Sequence, residues 1–286
     1  MPNGARFEAE RADLERLAYR MLGSRVEAED IVQDTFVRWQ QSGATPDNVG
    51  AWLTRTCVRL CLDRLKSAQR QRETYVGPWL PEPWVESDDS ISTELDETLS
   101  LALLALFERL SPAERAAVIL HDVFDYEFAE VASILGKSPN SCRQLASRAR
   151  KHLRRDRAPA SVDTQEYRRV AGSFFTALRS GDLAGLREVL AQDVTLRSDG
   201  GGKAVAARRP IEGADKVALF LARTVIAGTY LDVREQWFNG APGLVVYTDQ
   251  GPVSAFQVEV VQGAVVGIAV LRNPDKLVAF ESASPS

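Results

Sequence analysis

Three cysteines in 286 residues exclude a disulfide framework. Cys57, Cys61 and Cys142 form no CxxC pair, and the expectation is a reducing cytoplasm in which Cys serves as a small core residue. Cys57 and Cys61 lie one helical turn apart, but no third or fourth ligand accompanies them, so neither a metal nor another cofactor is expected. Histidine is scarcer still. His121 and His152 are the only two, and residues 157–286 hold neither His nor Cys. Acid–base chemistry there would fall to carboxylates such as Asp193 or Asp199 with no evident partner, so no catalytic residue is assigned and an enzyme is not expected. Long apolar runs are also missing. "LALLALF" and "AVVGIAV" fall far short of the roughly 20 residues a membrane span needs, and "MPNGARFEAERADLERL" lacks the apolar stretch of a secretory signal.

What is present is charge in blocks. The net charge is −4, yet Arg55 to Arg72 carries six bases (Arg55, Arg59, Arg64, Lys66, Arg70, Arg72) against Asp63. Leu80 to Ser100 carries seven acids (Glu82, Glu86, Asp88, Asp89, Glu94, Asp96, Glu97) and no base. Lys137 to Arg157 carries eight bases against Asp156. Singly, each block reads as a solvated helix face. Together, two basic blocks around an acidic one suggest two polyanion-binding surfaces on a tether.

Periodicity places these blocks. "FEAERADLERLAYRMLG" has apolar residues at 7, 14, 17, 18, 21 and 22, a helical stripe closed by Gly23. "VEAEDIVQDTFVRWQQ" follows, with Val26, Ile31, Val32, Thr35, Phe36 and Trp39 on one side and Glu29, Asp30, Gln33 and Asp34 on the other. A third helix, "AWLTRTCVRLCLDRLKSAQRQRE", opposes an apolar side to its arginines. "GPWLPEPWVESDDSIS" cannot be helical through its prolines, and its two tryptophans suggest a linker that docks on something. Helix resumes at "TELDETLSLALLALFERL", and "SPAE" at 111–114 is a capping-box start.

The second basic block reads as a helix-turn-helix. Ala132 suits the helix crossing, Gly136 the turn, and Cys142 and Leu145 the contacts of the second helix, which Ser138 caps and Pro139 opens. That helix would present Asn140, Ser141, Arg143, Gln144, Ser147 and Arg148, which are base-edge and phosphate ligands. Arg150, Lys151, Arg154 and Arg155 behind them suit phosphates.

Beyond residue 157 the composition shifts. "TQEYRRVAGSFFTALRSGDLAGLREVLAQDV" predicts two helices hinged at Gly181–Asp182. "LDVREQWF", "GLVVYTD", "SAFQVEVV" and "AVVGIAVL" predict an antiparallel sheet turned at Asn-Gly, Asp-Gln-Gly-Pro and Gln-Gly, hence an α+β domain.

"AEDIVQDTFVRW" followed by "NVGAWLTRTCVRLCLDRLKSAQRQRE" resembles region 2 of sigma factors. Paired with a region 4 helix-turn-helix across a short linker, it resembles the extracytoplasmic-function group over residues 6–155. The last part resembles the SnoaL-like, NTF2-type cone. "WLPEP" at 79–83, "DGGGK" at 199–203 and "NPDKL" at 273–277 are similar to a subgroup of these factors that carries its own SnoaL-like extension.

The resemblance implies a multidomain fold of two all-α sigma domains and an α+β cone. Residues 1–72 would be region 2, 73–99 the linker, 100–157 region 4, and 158–286 the regulatory domain. Asp30, Gln33, Asp34 and Phe36 would dock on core RNA polymerase, on its beta and beta′ subunits. Trp52, Arg55, Arg59, Asp63, Arg64 and Lys66 would read the −10 element as the duplex opens, with Arg59 standing where family members often carry Asn. Asn140, Ser141, Arg143, Gln144, Ser147, Arg148, Arg150 and Lys151 would read the −35 element.

Trp79, Leu80, Pro81, Glu82 and Pro83 would make regulatory contacts with Asp199, Gly200, Gly201, Gly202 and Lys203 and with Asn273, Pro274, Asp275, Lys276 and Leu277. "DGGGK" lacks Walker spacing and reads as a loop contacting the sigma domains. The extension would then act in cis in place of an anti-sigma protein, in a cytoplasmic chain associated with the nucleoid in holoenzyme, with no membrane contact and monomeric when free. An apolar cone pocket would be open to a ligand. The alternatives are a conventional helix-turn-helix regulator with a ligand-sensing domain, or a SnoaL-like enzyme fused to a DNA-binding module.

Overall fold

The computed structural model describes residues 3–43, 46–72, 75–85, 100–156, 164–223 and 232–281. The side chains of Arg70, Arg72, Arg154 and Arg155, the acids from Glu86 to Glu97, and Arg157 lie outside the described residues. The chain divides into two units. One is Met1–Thr74 with Leu106–Arg157, and the other is Tyr75–Ala105 with Ala158–Ser286.

The first unit is helical. α1 (Asn3–Leu22), α2 (Arg25–Gln41) and α3 (Val49–Arg72) pack on one another. Phe7, Leu14, Leu17, Met21, Ile31, Val32, Trp39, Leu53 and Cys57 fill the space between them. Gly23 adopts φ 69° after α1, and Ser24 caps α2 by accepting from Glu27 N at 3.2 Å. One expectation is corrected. Val26 is 64% exposed, because it sits one turn before Asp30 on the outer face and not with Ile31 and Val32.

The rest of this unit is built around α5 (Pro112–Val118), α6 (Phe128–Leu135) and α7 (Pro139–Asp156), which follow α4 (Leu101–Phe107). Ser111 and Glu114 form the expected capping box at the start of α5. Past Val118 the helix widens to a π turn over Ile119–Val123. α3 packs against α5 and α6. Arg115 is 2% exposed there. It donates through Nη1 to Met21 O at 2.6 Å and through Nε to Phe107 O at 3.0 Å, and pairs with Glu108. Thr54 Oγ1 meets the Tyr126 hydroxyl at 3.1 Å. Residues 3–72 and 106–156 thus share buried polar contacts as well as apolar ones.

The second unit is α+β. α8 (Thr164–Ser180) and α9 (Leu183–Val189) are separated at Gly181, φ 72°, with Asp182 capping α9. They precede β1 (Leu190–Asp199) and β2 (Ile211–Glu212). α10 (Ala214–Leu221) then leads to β3 (Asp232–Phe238), β4 (Ala241–Thr248), β5 (Gly251–Val261) and β6 (Ala264–Leu271). The short α11 (Pro274–Leu277) ends the series.

The sheet order is β2-β1-β6-β5-β4-β3. It is mixed, since β1 runs parallel to β6 while the other pairs are antiparallel. Two expectations are thereby corrected: the sheet is not wholly antiparallel, and the second helix ends at Val189, before "LAQDV". Leu, Ala and Gln are good helix formers, but pairing with β6 overrides propensity, with a register shift between Leu190 and Thr195. The Asn239–Gly240 and Gln262–Gly263 turns have positive φ at both residues, as two-residue hairpins require.

Strand alternation gives the sheet two apolar faces. One carries Val194, Leu196, Leu244, Phe256, Val258, Ile268 and Val270 against Phe174 and Phe175 of α8 and Val217 and Leu221 of α10. The other carries Val245, Tyr247, Ala255, Ala269 and Leu271. This second face is covered by Leu277 and Phe280 and by Leu80 and Leu101, which precede the domain in sequence.

Candidate nucleic-acid interface and linker clamp

Two surfaces of the helical unit carry the residues singled out from sequence. On α2, Asp30, Gln33 and Asp34 are exposed and share a face with Val26 and Val37, which are 64% and 40% exposed. Sequence reading missed both valines as surface residues. An apolar residue beside acids on a helix reads as core until a neighbouring helix fixes which way it turns. Phe36 is turned from this face to stack on Phe7, with centroids 4.7 Å apart. On α3, Arg55 and Arg59 are exposed, and Asp63 pairs with Lys66 at 2.9 Å. Trp52 is half-buried against Trp39 at 5.2 Å. Residues 52, 55, 59, 63 and 66 follow helical i, i+3, i+4 spacing and form one strip. Arg64 points instead to α2, 3.5 Å from Glu27 Oε1.

The helix-turn-helix is built by Gly136 in the left-handed region, φ 64°, at the end of α6. Ser138 Oγ accepts from Ser141 N at 3.2 Å at the start of α7. Cys142, Leu145, Ala146 and Ala149 are buried. The opposite side presents Asn140, Arg143, Gln144, Ser147, Arg148 and Lys151, with Ser141 half-buried at its edge. Two cations of α7 already have partners. Arg148 lies 3.2 Å from Glu114, and Arg150 grips Asp122 with bonds of 2.7 and 2.5 Å. Arg143 lies over the Phe128 ring at 5.5 Å. Arg150 is therefore committed to holding α7 on the preceding turn, while Lys151 stands exposed.

Within the second unit, the three short motifs meet at one carboxylate. "WLPEP" has two prolines that donate no hydrogen bond, so its remaining backbone groups need partners outside a regular ladder. Asp199, fully buried at the end of β1, supplies one for Leu80. Its Oδ2 accepts from Leu80 N at 2.9 Å and from Lys276 Nζ at 2.7 Å. Its Oδ1 accepts from the Tyr75 hydroxyl at 2.6 Å and from Gly201 N at 3.0 Å. Lys276 also donates to Leu80 O, and its ammonium lies 4.3 Å from the Trp79 ring centre and 5.3 Å from that of Tyr75. Burial, and then the bond to Asp199, push the Tyr75 phenol well above its ordinary pKa.

Asn273 closes the arrangement. It donates to the Tyr75 hydroxyl at 3.0 Å and caps α11 through Asp275 N at 3.1 Å. Gly201, φ 59°, packs so tightly on it that a Cβ there would stand 2.6 Å from Asn273 Cγ. Lys203 pairs with Asp275, Gly202 packs on Val76, and Leu277 is buried under the sheet. Farther along the linker, Asn239 accepts from Trp84 N and donates to Trp84 O, both at 2.9 Å. Val85 bridges to Phe238, and Gln257 Oε1 accepts from Leu101 N at 3.0 Å.

Tyr75, Asn239 and Gln257 were not singled out from sequence. Asn239 was hidden as a turn former. Gln257 carried a usable signal, a lone amide inside the apolar strand "SAFQVEVV".

A bundle with an acidic outer face and an arginine strip, joined by a held linker to a helix-turn-helix, defines a multidomain transcription factor with an α+β extension. The chain matches Sigma-70 region 2 over residues 6–71 and Sigma-70 region 4 over residues 100–153. It is 38% identical to the ECF RNA polymerase sigma factor SigJ of Mycobacterium tuberculosis, over 94% of this chain and 91% of that protein. It is 34% identical to the probable ECF RNA polymerase sigma factor SigI of the same species, over 96% and 95%. The crystal structure of M. tuberculosis SigJ superposes with a TM-score of 0.79 and 35% identity, covering 96% of this chain and 98% of that one. The chain belongs to the extracytoplasmic-function sigma factors, and its similarity to SigJ extends through the C-terminal α+β extension. Among the described residues, no helix is long and apolar enough to cross a membrane.

Proposed function

We propose that this sigma factor recruits core RNA polymerase through the α2 face of Asp30, Gln33 and Asp34, edged by Val26 and Val37. It opens and reads the −10 element with the α3 strip of Trp52, Arg55, Arg59, Asp63 and Lys66, and reads the −35 element with α7. The extension acts in cis, in place of a separate anti-sigma protein, and is not an enzyme. The observation that carries this reading is the bonding of Leu80 to Asp199 and Lys276. The linker between the two DNA-reading regions is held by the domain that follows them, so the reach of one region relative to the other depends on whether that hold persists. A tethered domain acts at high effective concentration, so modest contacts suffice to compete with polymerase.

The test is run-off transcription with core polymerase, comparing residues 1–286 with a chain stopped at 157. Promoter-dependent transcript is expected, with a different yield from the two chains. Equal yields would remove the cis-regulatory part. Duplex promoter binding without polymerase, and no transcript, would favour a conventional regulator.

A further inference from the structure

The second unit also contains a cavity of about 400 Å³, walled by Val76 and Gly77 of the linker, by Ser198, and by Gly200 and Gly202 through Arg208. Strand alternation turns Ser198 to the sheet face opposite Asp199. The Ser198 side chain is fully buried, and its hydroxyl has no hydrogen-bond partner. A buried hydroxyl left unpaired costs about 1–3 kcal/mol, which a ligand acceptor would offset. Among the described residues, the walls contain no carboxylate but two cations, Lys203 and Arg208. Lys203 is paired with Asp275. Arg208 is exposed, and no ion pair to it is found among the described residues. Two of the most exposed large apolar side chains, Val76 at 50% and Val205 at 80%, also line the space. The volume falls within the ordinary range of ~300–1,000 Å³ for small-molecule sites.

We propose that this cavity binds a small organic acid, with its carboxylate on Arg208 and the Ser198 hydroxyl and its apolar body against Val76 and Val205. Because one wall is linker and the other is the glycine loop after β1, such a ligand bridges the two and holds the linker on the extension. That consequence rests on the cis-regulatory reading; the binding itself does not.

The experiment is calorimetric titration of the full chain with octanoate, benzoate, 1-octanol and inorganic phosphate. Binding is expected for at least one of the two acids, with 1-octanol and phosphate at least about tenfold weaker. Arg208→Glu, at an exposed position, should weaken the acid by about tenfold or more, and Ser198→Ala by roughly fivefold, the size of one hydrogen bond. Amide exchange at Val76 and Gly77 should slow when the acid is bound. Absence of binding by both acids, phosphate binding as tightly as the acids, or an unchanged affinity in Arg208→Glu would each overturn the proposal. Binding that leaves run-off yield unchanged would sink the regulatory consequence alone.

Discussion

The carboxylate of Asp199 and the ammonium of Lys276 meet at 2.7 Å inside the C-terminal unit, and each also bonds the backbone of Leu80. Two opposite charges, 0% and 7% exposed at the side chain, thereby satisfy a proline-flanked segment that cannot enter a regular ladder. Desolvating such a pair is costly, and its net contribution is smaller than its geometry suggests. Its effect is to specify one seat for the linker.

Asp199→Ala should therefore destabilise the second unit by about 3–5 kcal/mol, because it strands a buried ammonium and leaves Leu80 N without its acceptor. Lys276→Met alone should cost a similar amount. The double variant should cost clearly less than the sum of the two. Urea unfolding followed by Trp fluorescence reads all three, and simple additivity would show that the pair is not coupled.

Gly201→Ala and Gly136→Ala make a matched comparison. Both positions have φ near 60°, so each substitution carries a left-handed strain of about 1–2 kcal/mol. Nothing lies near a Cβ at Gly136, whereas at Gly201 it would drive into Asn273. Gly201→Ala should lower the melting temperature further and shift the Tyr75 ring resonances by displacing Asn273. Equal effects would show that Asn273 yields freely.

Much of this was legible in sequence, for identifiable reasons. The capping box at Ser111, the turn at Gly136 and the hairpins at Asn239–Gly240 and Gln262–Gly263 are local devices, each written in a few adjacent residues. β1 was misread because its decisive partner, β6, lies far away in sequence and a register shift breaks its alternation. Val26 was misassigned because three-dimensional packing, not composition, decides which side of α2 turns inward. At the linker, the motif residues could be named, but not the atom on which they converge. Neither "WLPEP" nor "NPDKL" says that Leu80 N and Lys276 Nζ share one oxygen of Asp199.

Glu114 makes the helical unit sensitive to acid. Burial raises its pKa, but the bonds from the Ser111 hydroxyl and backbone, together with His152 and Arg148, outweigh burial and leave it lowered. A lowered carboxylate contributes its full stability above its unfolded value of about 4.3 and loses it as pH falls through the folded value. Melting of the helical unit should begin to fall as pH drops below about 4. Glu114→Gln should melt lower at neutral pH and show a shallower acid limb. A parallel limb in the variant would assign the acid sensitivity elsewhere.

The cations of α7 should separate by role. Arg143 is exposed next to Gln144 at the N-terminal part of the helix, where a helix-turn-helix reads base edges. Arg143→Ala should cost about 1–3 kcal/mol on the preferred −35 sequence and flatten discrimination against variants of it. Lys151 lies two turns farther along and is exposed. Lys151→Ala should weaken all sequences alike and reduce the log–log salt slope by about one. Arg150 is tied to Asp122 by two bonds, so releasing it has two opposed effects. Asp122→Asn should lower the melting temperature by loosening α7 while leaving affinity unchanged or stronger at low salt, since a cation has been freed for phosphate. If Asp122→Asn instead weakens DNA as much as Arg150→Ala does, the pair acts by orienting the helix, and Arg150 is not a phosphate ligand.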